Sequence, residues 1–155
     1  MKLVRTHKEN LLFEITQQEK TLLFYILLQY PLVPATHHRL TKGSQIPDQE
    51  ANQRLLEESF KTQRAENQKQ LAAMLKESER FIPCEAGFHA TFTRAEIEWL
   101  LQVLNDVRIG SWIALGSPDD EVRKIKPKNK EAATQTAIME IAGGFETVFL
   151  EAIAG

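Results

Sequence analysis

The sequence predicts a mainly α fold: a four-helix core with a small N-terminal antiparallel β-hairpin. Three observations lead there. Four stretches repeat apolar residues at helical spacing. Two of them open with Thr-x-x-Glu, the pattern of a capping box. The first fifteen residues hold two short β-capable runs around a polar turn. The chain has 155 residues, 43% of them hydrophobic and 26% charged. That is enough for one domain with its own core. The expected layout is a single domain over 1–155. The hairpin takes 1–15 and the helical core 16–155, with loops at 32–46, 81–92 and 116–130.

The hairpin pairs Lys2–Arg5 with Leu11–Ile15 across Thr6–Asn10, a loop of hairpin length. Thr16-Gln17-Gln18-Glu19 then caps a helix running through Leu22–Leu28. This helix is apolar all round and is expected in the middle of the fold. Pro31 and Pro34 end it. A long helix follows over 48–79, with Leu55, Leu56 and Phe60 at one end and Leu71, Met74 and Leu75 at the other. Its middle positions on that stripe are Gln63, Asn67 and Gln70. A helix polar through its middle faces solvent or meets a partner through polar groups. Phe81–Phe92 contains Pro83 and Gly87 and reads as a connection, although Phe88–Phe92 could add a third short strand. Thr93-Arg94-Ala95-Glu96 caps the third helix, which stops at Gly116. The last helix covers 131–154, with Ala137, Ile141, Phe145, Val148 and Ala152 as its stripe. Gly143-Gly144 inside it reads as a close helix–helix approach. No internal repeat is evident.

The net charge is −2, with a slight basic excess in the first half and an acidic one in the second. Neither half suits a general nucleic-acid binder. Arg123–Lys130 is rich in bases, but acids precede it and no aromatic is interleaved for stacking. It reads as a solvated loop. The longest apolar run, Leu22–Leu28, is far short of a membrane span. The N-terminus lacks a signal-peptide pattern. The single cysteine, Cys84, suits a reducing cytoplasm.

Within 94–115, Ile97, Leu100, Leu101, Leu104, Val107 and Leu115 share one face. Arg108 falls inside that stripe and Asp106 opposite it. A guanidinium near a core needs a carboxylate, carbonyls or a bound anion. A structural ion pair is the simpler reading; an anion clamp made of Arg108 with Asn105 is the alternative. Past Val107 the helix turns apolar on several faces through Ile109, Trp112 and Ile113. Together with Leu150 these could form an interface. His37-His38 and the Cys84–His89 pair lack the spacing of a structural zinc site, so no metal is expected. No GxSxG, HExxH or phosphate-loop pattern is present, so neither cofactor nor catalysis is expected.

Leu104-Asn105-Asp106-Val107-Arg108-Ile109, with Trp99 before it and Leu115-Gly116 and Asp119-Asp120 after it, resembles an LNDxRL…LG…DD segment. That segment belongs to the uncharacterised bacterial domain-of-unknown-function family twenty-seventeen. Leu22–Pro31 is similar to the family's first helix and Asp48–Leu75 to its long helix, so the likeness spans roughly 11–153. It implies a mainly helical domain of no known activity. Actinobacterial members encoded near the adaptor of the Clp protease hint at regulated proteolysis. Arg123–Lys130 has no counterpart in the pattern. The combined expectation is a cytoplasmic, non-catalytic interaction or regulatory module. It would be a homo-oligomer or bind a protein partner, with Trp112, Ile113, Gln63, Asn67 and Leu150 at its surfaces and Arg108 with Asn105 organising the core.

Overall fold

A computed structural model describes residues 1–34, 49–119 and 126–155. The described residues form β1 (Lys2–His7), β2 (Asn10–Ile15), α1 (Gln17–Leu27), α2 (Gln49–Leu75), β3 (Phe81–Cys84), β4 (Gly87–Thr93), α3 (Arg94–Ala114) and α4 (Lys130–Ala154). The strands make one antiparallel sheet in the order β1-β2-β4-β3. The fold is therefore α+β, which corrects the expectation of a helical core with a hairpin attached. What read as a connection over 81–92 is a second hairpin. Pro83 and Gly87 looked like strand breakers, but each has a place here. β3 is an edge strand, where proline costs no ladder hydrogen bond. Gly87 opens β4 directly after the turn at φ +137, and a Cβ there would lie 2.5 Å from the Ile15 carbonyl oxygen.

The two central strands alternate. Leu11, Phe13 and Ile15 of β2 and Ala90 and Phe92 of β4 point into the core. Phe149 of α4 packs over the two central strands, at 5.6 Å from Phe13 and 5.7 Å from Phe92, edge to face with both. Phe81 continues the aromatic chain to Phe24 of α1, at 5.1 Å. The opposite face of the sheet carries no buried residue among those described. Val4 is a bulge between Leu3 and Arg5 on the edge strand β1. Lys2, Arg5 and the bulge discourage strand addition at that edge.

Both expected capping boxes form. Thr16 Oγ1 accepts from Glu19 N–H and the Glu19 carboxylate accepts from Thr16 N–H; Thr93 and Glu96 repeat the pattern. The two boxes mark a repeat that the sequence reading did not detect. Each follows a hairpin and opens a helix. Counted from the caps, Leu23, Ile26 and Leu27 correspond to Leu100, Val103 and Leu104, and all six are fully buried. Phe13 and Ala90 are also equivalent, and they face each other across the β2–β4 pairing. The strand order β1-β2-β4-β3 is symmetric about that pair. In each unit the box glutamate also meets a cation: the Met1 ammonium at Glu19 and Arg80 at Glu96.

Three further expectations are corrected. α1 is not central, because only Leu23, Ile26 and Leu27 are buried on it. On α4, Phe145 and Ala152 are buried as expected, while Ala137, Ile141 and Val148 give way to their neighbours Ile138, Ala142 and Phe149. Gly143 and Gly144 do not mark a close approach: a Cβ at the first would meet Arg108 Cδ at an ordinary 3.7 Å, and at the second nothing within 4 Å.

Arg80 makes the best-formed ion pair. Its side chain is 9% exposed, contacts Glu96 at 2.7 Å and Glu77 at 2.7 Å, and donates to the Thr91 carbonyl. Burial acts to raise the Glu96 pKa, but the Arg80 hydrogen bonds and the Thr93 N–H together outweigh it and hold the carboxyl below its usual range. Such a lowered pKa adds stability that is present above the unfolded value and is lost as pH falls through the folded one. Glu96→Gln should cost about 2 kcal/mol at neutral pH. The gap to wild type should narrow as pH falls below the ordinary glutamate range. Denaturant melts at stepped pH measure it, and a gap independent of pH would contradict the assignment.

Candidate functional site

The segment Asn105–Arg108 is the part of the chain that the sequence singles out, and its polar residues turn inward to the protein itself. Asp106 Oδ1 accepts from the backbone N–H of Leu32 at 2.7 Å and of Val33 at 3.2 Å. Its Oδ2 lies 3.9 Å from Arg64 Nη2, which also donates to the Val33 carbonyl at 2.5 Å. One turn on, Gly110 makes room for the same strand of chain. A Cβ at Gly110 would stand 2.6 Å from the Leu32 carbonyl carbon. Asp106 and Gly110 therefore grip the segment leaving α1 from one face of α3. The sequence placed this carboxylate opposite the apolar stripe, and nothing local names Leu32 as its partner.

Arg108 is 41% exposed, and its Nε stands 2.9 Å from Glu146 Oε2 on α4. The Nε–H is not well aimed, so the contact is ionic more than a hydrogen bond. Arg108 Nη2 donates to Asn105 Oδ1 at 3.0 Å. Arg108 is thus a rim residue tied to a protein carboxylate. An anion clamp would need the position Glu146 holds. Burial raises the Glu146 pKa, and Arg108 only partly offsets it.

The polar middle of α2 is likewise engaged within the chain. Asn67 Nδ2 donates to the Tyr30 hydroxyl at 3.0 Å. Asn67 Oδ1 accepts from Trp99 Nε1 and from Gln63 Nε2, each at 3.1 Å. Gln63 itself is exposed. Trp112 and Ile113 are half-buried, and Trp112 Nε1 donates to the Pro118 carbonyl at 2.9 Å. Of the five nominated interface residues, Leu150 is the one both apolar and exposed, at 52%.

Two surfaces carry features that the sequence did not reveal. On α1, Leu22, Tyr25 and Leu28 form an exposed apolar line at 40%, 46% and 66%. On the open face of the sheet, Glu14, Cys84 and His89 come together from β2, β3 and β4, with their ligand atoms all within 4.8 Å of one another. The register explains the meeting: Glu14 faces His89 directly, and Cys84 is one step diagonal from it. Cys84 and His89 were noticed in sequence, but Glu14 is too distant along the chain to be joined to them. A hollow of about 450 Å³ lies at the far end of α3, lined among others by Leu115, Pro118, Lys126, Lys128, Met139 and Glu140. Lys126, Lys128 and Lys130 of the basic run are exposed. Arg123, Lys124, His37 and His38 lie outside the described residues.

No protein-family model matches the chain. Nor does any curated protein or solved structure.

The grip on Leu32 and Val33 and the Arg108–Glu146 pair have separable signatures. Asp106→Ala leaves two part-buried N–H groups without their acceptor and Arg64 without its ion-pair partner, and should cost about 3 kcal/mol. Asp106→Asn keeps one acceptor oxygen and should cost less. Arg108→Ala leaves Glu146 buried and unpaired, and should cost about 1–2 kcal/mol at neutral pH. An acid whose folded pKa is raised gains relative stability as pH falls through that value. The Arg108→Ala deficit should therefore shrink on acidification. Thermal melts at neutral and mildly acidic pH measure both effects; an Arg108→Ala deficit that grows with acid would refute the pairing.

Proposed function

We propose that the protein is a non-catalytic interaction module that acts as a homodimer joined through α1. The observation that carries this reading is the apolar line Leu22–Tyr25–Leu28 on the solvent side of that helix. The repeat supplies an internal comparison. The equivalent positions on α3 are Trp99, Gln102 and Asn105. Trp99 is half-buried under Asn67, and the other two are polar and exposed. Where the same face of the sister helix meets water it is polar; on α1 it is apolar. From Leu22 on, α1 is apolar on every side and calls for a cover on every side.

A second copy is the occupant the pattern suits. The line is centred on Tyr25 with a leucine three residues to either side. Under a two-fold axis at Tyr25, Leu22 of one copy faces Leu28 of the other, as an isologous contact requires. Eleven residues of helix span roughly 16 Å, so this interface lies at the low end of specific interfaces. The expected dissociation constant is on the order of micromolar.

The resemblance of Leu104–Ile109 to the bacterial family is in keeping with a regulatory module in a bacterial cytoplasm, and the single half-buried thiol suits a reducing compartment. No described helix is long and apolar enough to cross a membrane.

Sedimentation equilibrium tests the dimer. Wild type should approach twice 17.7 kDa as concentration rises through the micromolar range. Tyr25→Glu and Leu28→Glu should remain single chains with unchanged circular dichroism. Leu150→Lys, on the exposed side of α4, should dimerise as wild type does. A wild type of single-chain mass up to about 100 µM would exclude a second copy as the occupant.

A further inference from the structure

On the open face of the sheet, away from α1, we propose a transition-metal site formed by Glu14, Cys84 and His89, with zinc as the expected ion. The three side chains offer one carboxylate oxygen, one thiolate sulfur and one imidazole nitrogen, with these atoms within 4.8 Å of one another. All three are half-buried, so they are partly ordered by neighbours yet open to an ion from solvent.

The mixed O, S and N set is chemically selective. Thiolate and imidazole disfavour calcium and magnesium, which take oxygen ligands. Zinc accepts all three donor types at about 2.0–2.3 Å. A tetrahedral site of that size sets its donors about 3.3–3.8 Å apart. The ligand atoms, within 4.8 Å of one another, close to this separation on binding. Three protein ligands leave the fourth position to water, the arrangement of an open zinc site.

The sheet supplies the rigidity. Glu14 and His89 are directly paired on the two central strands, and Cys84 is fixed beside them by its pairing with Gly87 in the β3–β4 hairpin. Lys2 is the local competitor. Its ammonium stands 2.9 Å from Glu14 Oε1 and is 72% exposed, so it is free to swing away when the ion enters. Binding displaces the thiol proton into solvent and forms the sulfur–metal bond without change of oxidation state. Affinity should therefore rise with pH.

Titration of the full chain with cobalt(II) and zinc(II) tests the site. Cobalt should bind at one equivalent and give the intense visible bands of a four-coordinate site with a thiolate-to-metal band in the near ultraviolet. Cys84 is the one cysteine in the chain, so that band reports on it alone. Cys84→Ser should abolish the band, and His89→Ala and Glu14→Gln should each weaken zinc binding at least tenfold. Lys2→Ala should tighten it several-fold. A His37→Ala/His38→Ala variant should bind as wild type does. Circular dichroism of each variant without metal confirms the fold; if Cys84→Ser disturbs it, alkylation of the native thiol replaces that variant. Three results would overturn the site: no thiolate band, zinc binding indifferent to His89 and Glu14, or one metal shared by two chains through Cys84 alone.

Discussion

The carboxylate of Asp106 is the contact on which the arrangement of the helices depends. α1 ends at the sheet's helical side, and the chain must then leave toward α2. Two backbone N–H groups at Leu32 and Val33 would be left without partners at that exit. Buried donors of this kind cost about 1–3 kcal/mol each when unsatisfied. One carboxylate on α3 satisfies both, and Arg64 of α2 closes the set from the other side. Gly110 supplies the clearance that lets the chain lie this close to α3. Three helices and a connection are thereby located by one acidic side chain and one missing Cβ.

The same view accounts for the residues Asn105–Arg108 as a group. Val107 is fully buried in the core, Asp106 holds the connection, and Arg108 reaches Glu146 on α4 with Asn105 as its brace. The polar residues of this segment, Asn105, Asp106 and Arg108, are here a set of ties between α3 and its neighbours. Function is then sought on surfaces that the core leaves uncovered. The two repeat units supply such a contrast. Leu23, Ile26 and Leu27 are buried like Leu100, Val103 and Leu104, while the outer faces differ: α3 carries Gln102 and Asn105 where the α1 side carries Tyr25 and Leu28. Packing constrains the inner faces equally and leaves the outer ones to diverge.

The sheet sets a second division. One face is filled by aromatic rings, with Phe149 seated on the central strands. The other has no layer of described residues above it, and there the alternation of strands gathers polar side chains. Glu14, Cys84 and His89 meet because cross-strand neighbours on one face are brought to within side-chain reach. The proposed metal site and the proposed dimer contact are consequently on different parts of the molecule and do not require one another.

By itself the sequence determined the local features. The first hairpin, both capping boxes, the existence of the four helices and the apolar face from Ile97 to Val107 follow from interactions within a few residues, where spacing and hydrogen-bonding groups are sufficient. The second hairpin was obscured because Pro83 and Gly87 signal a break unless the strand is known to lie at an edge. Three of the five expected α4 stripe positions were misplaced by one residue because that helix is apolar over much of its circumference, so periodicity distinguishes its faces poorly. Only the tertiary structure decided the pairing of β2 with β4, the exposure of one side of α1, the partners of Asp106 and Arg108, and the meeting of Glu14 with Cys84 and His89. Each joins residues far apart in the chain, and a hydrogen bond or ion pair at that range leaves no periodic trace in the residues between.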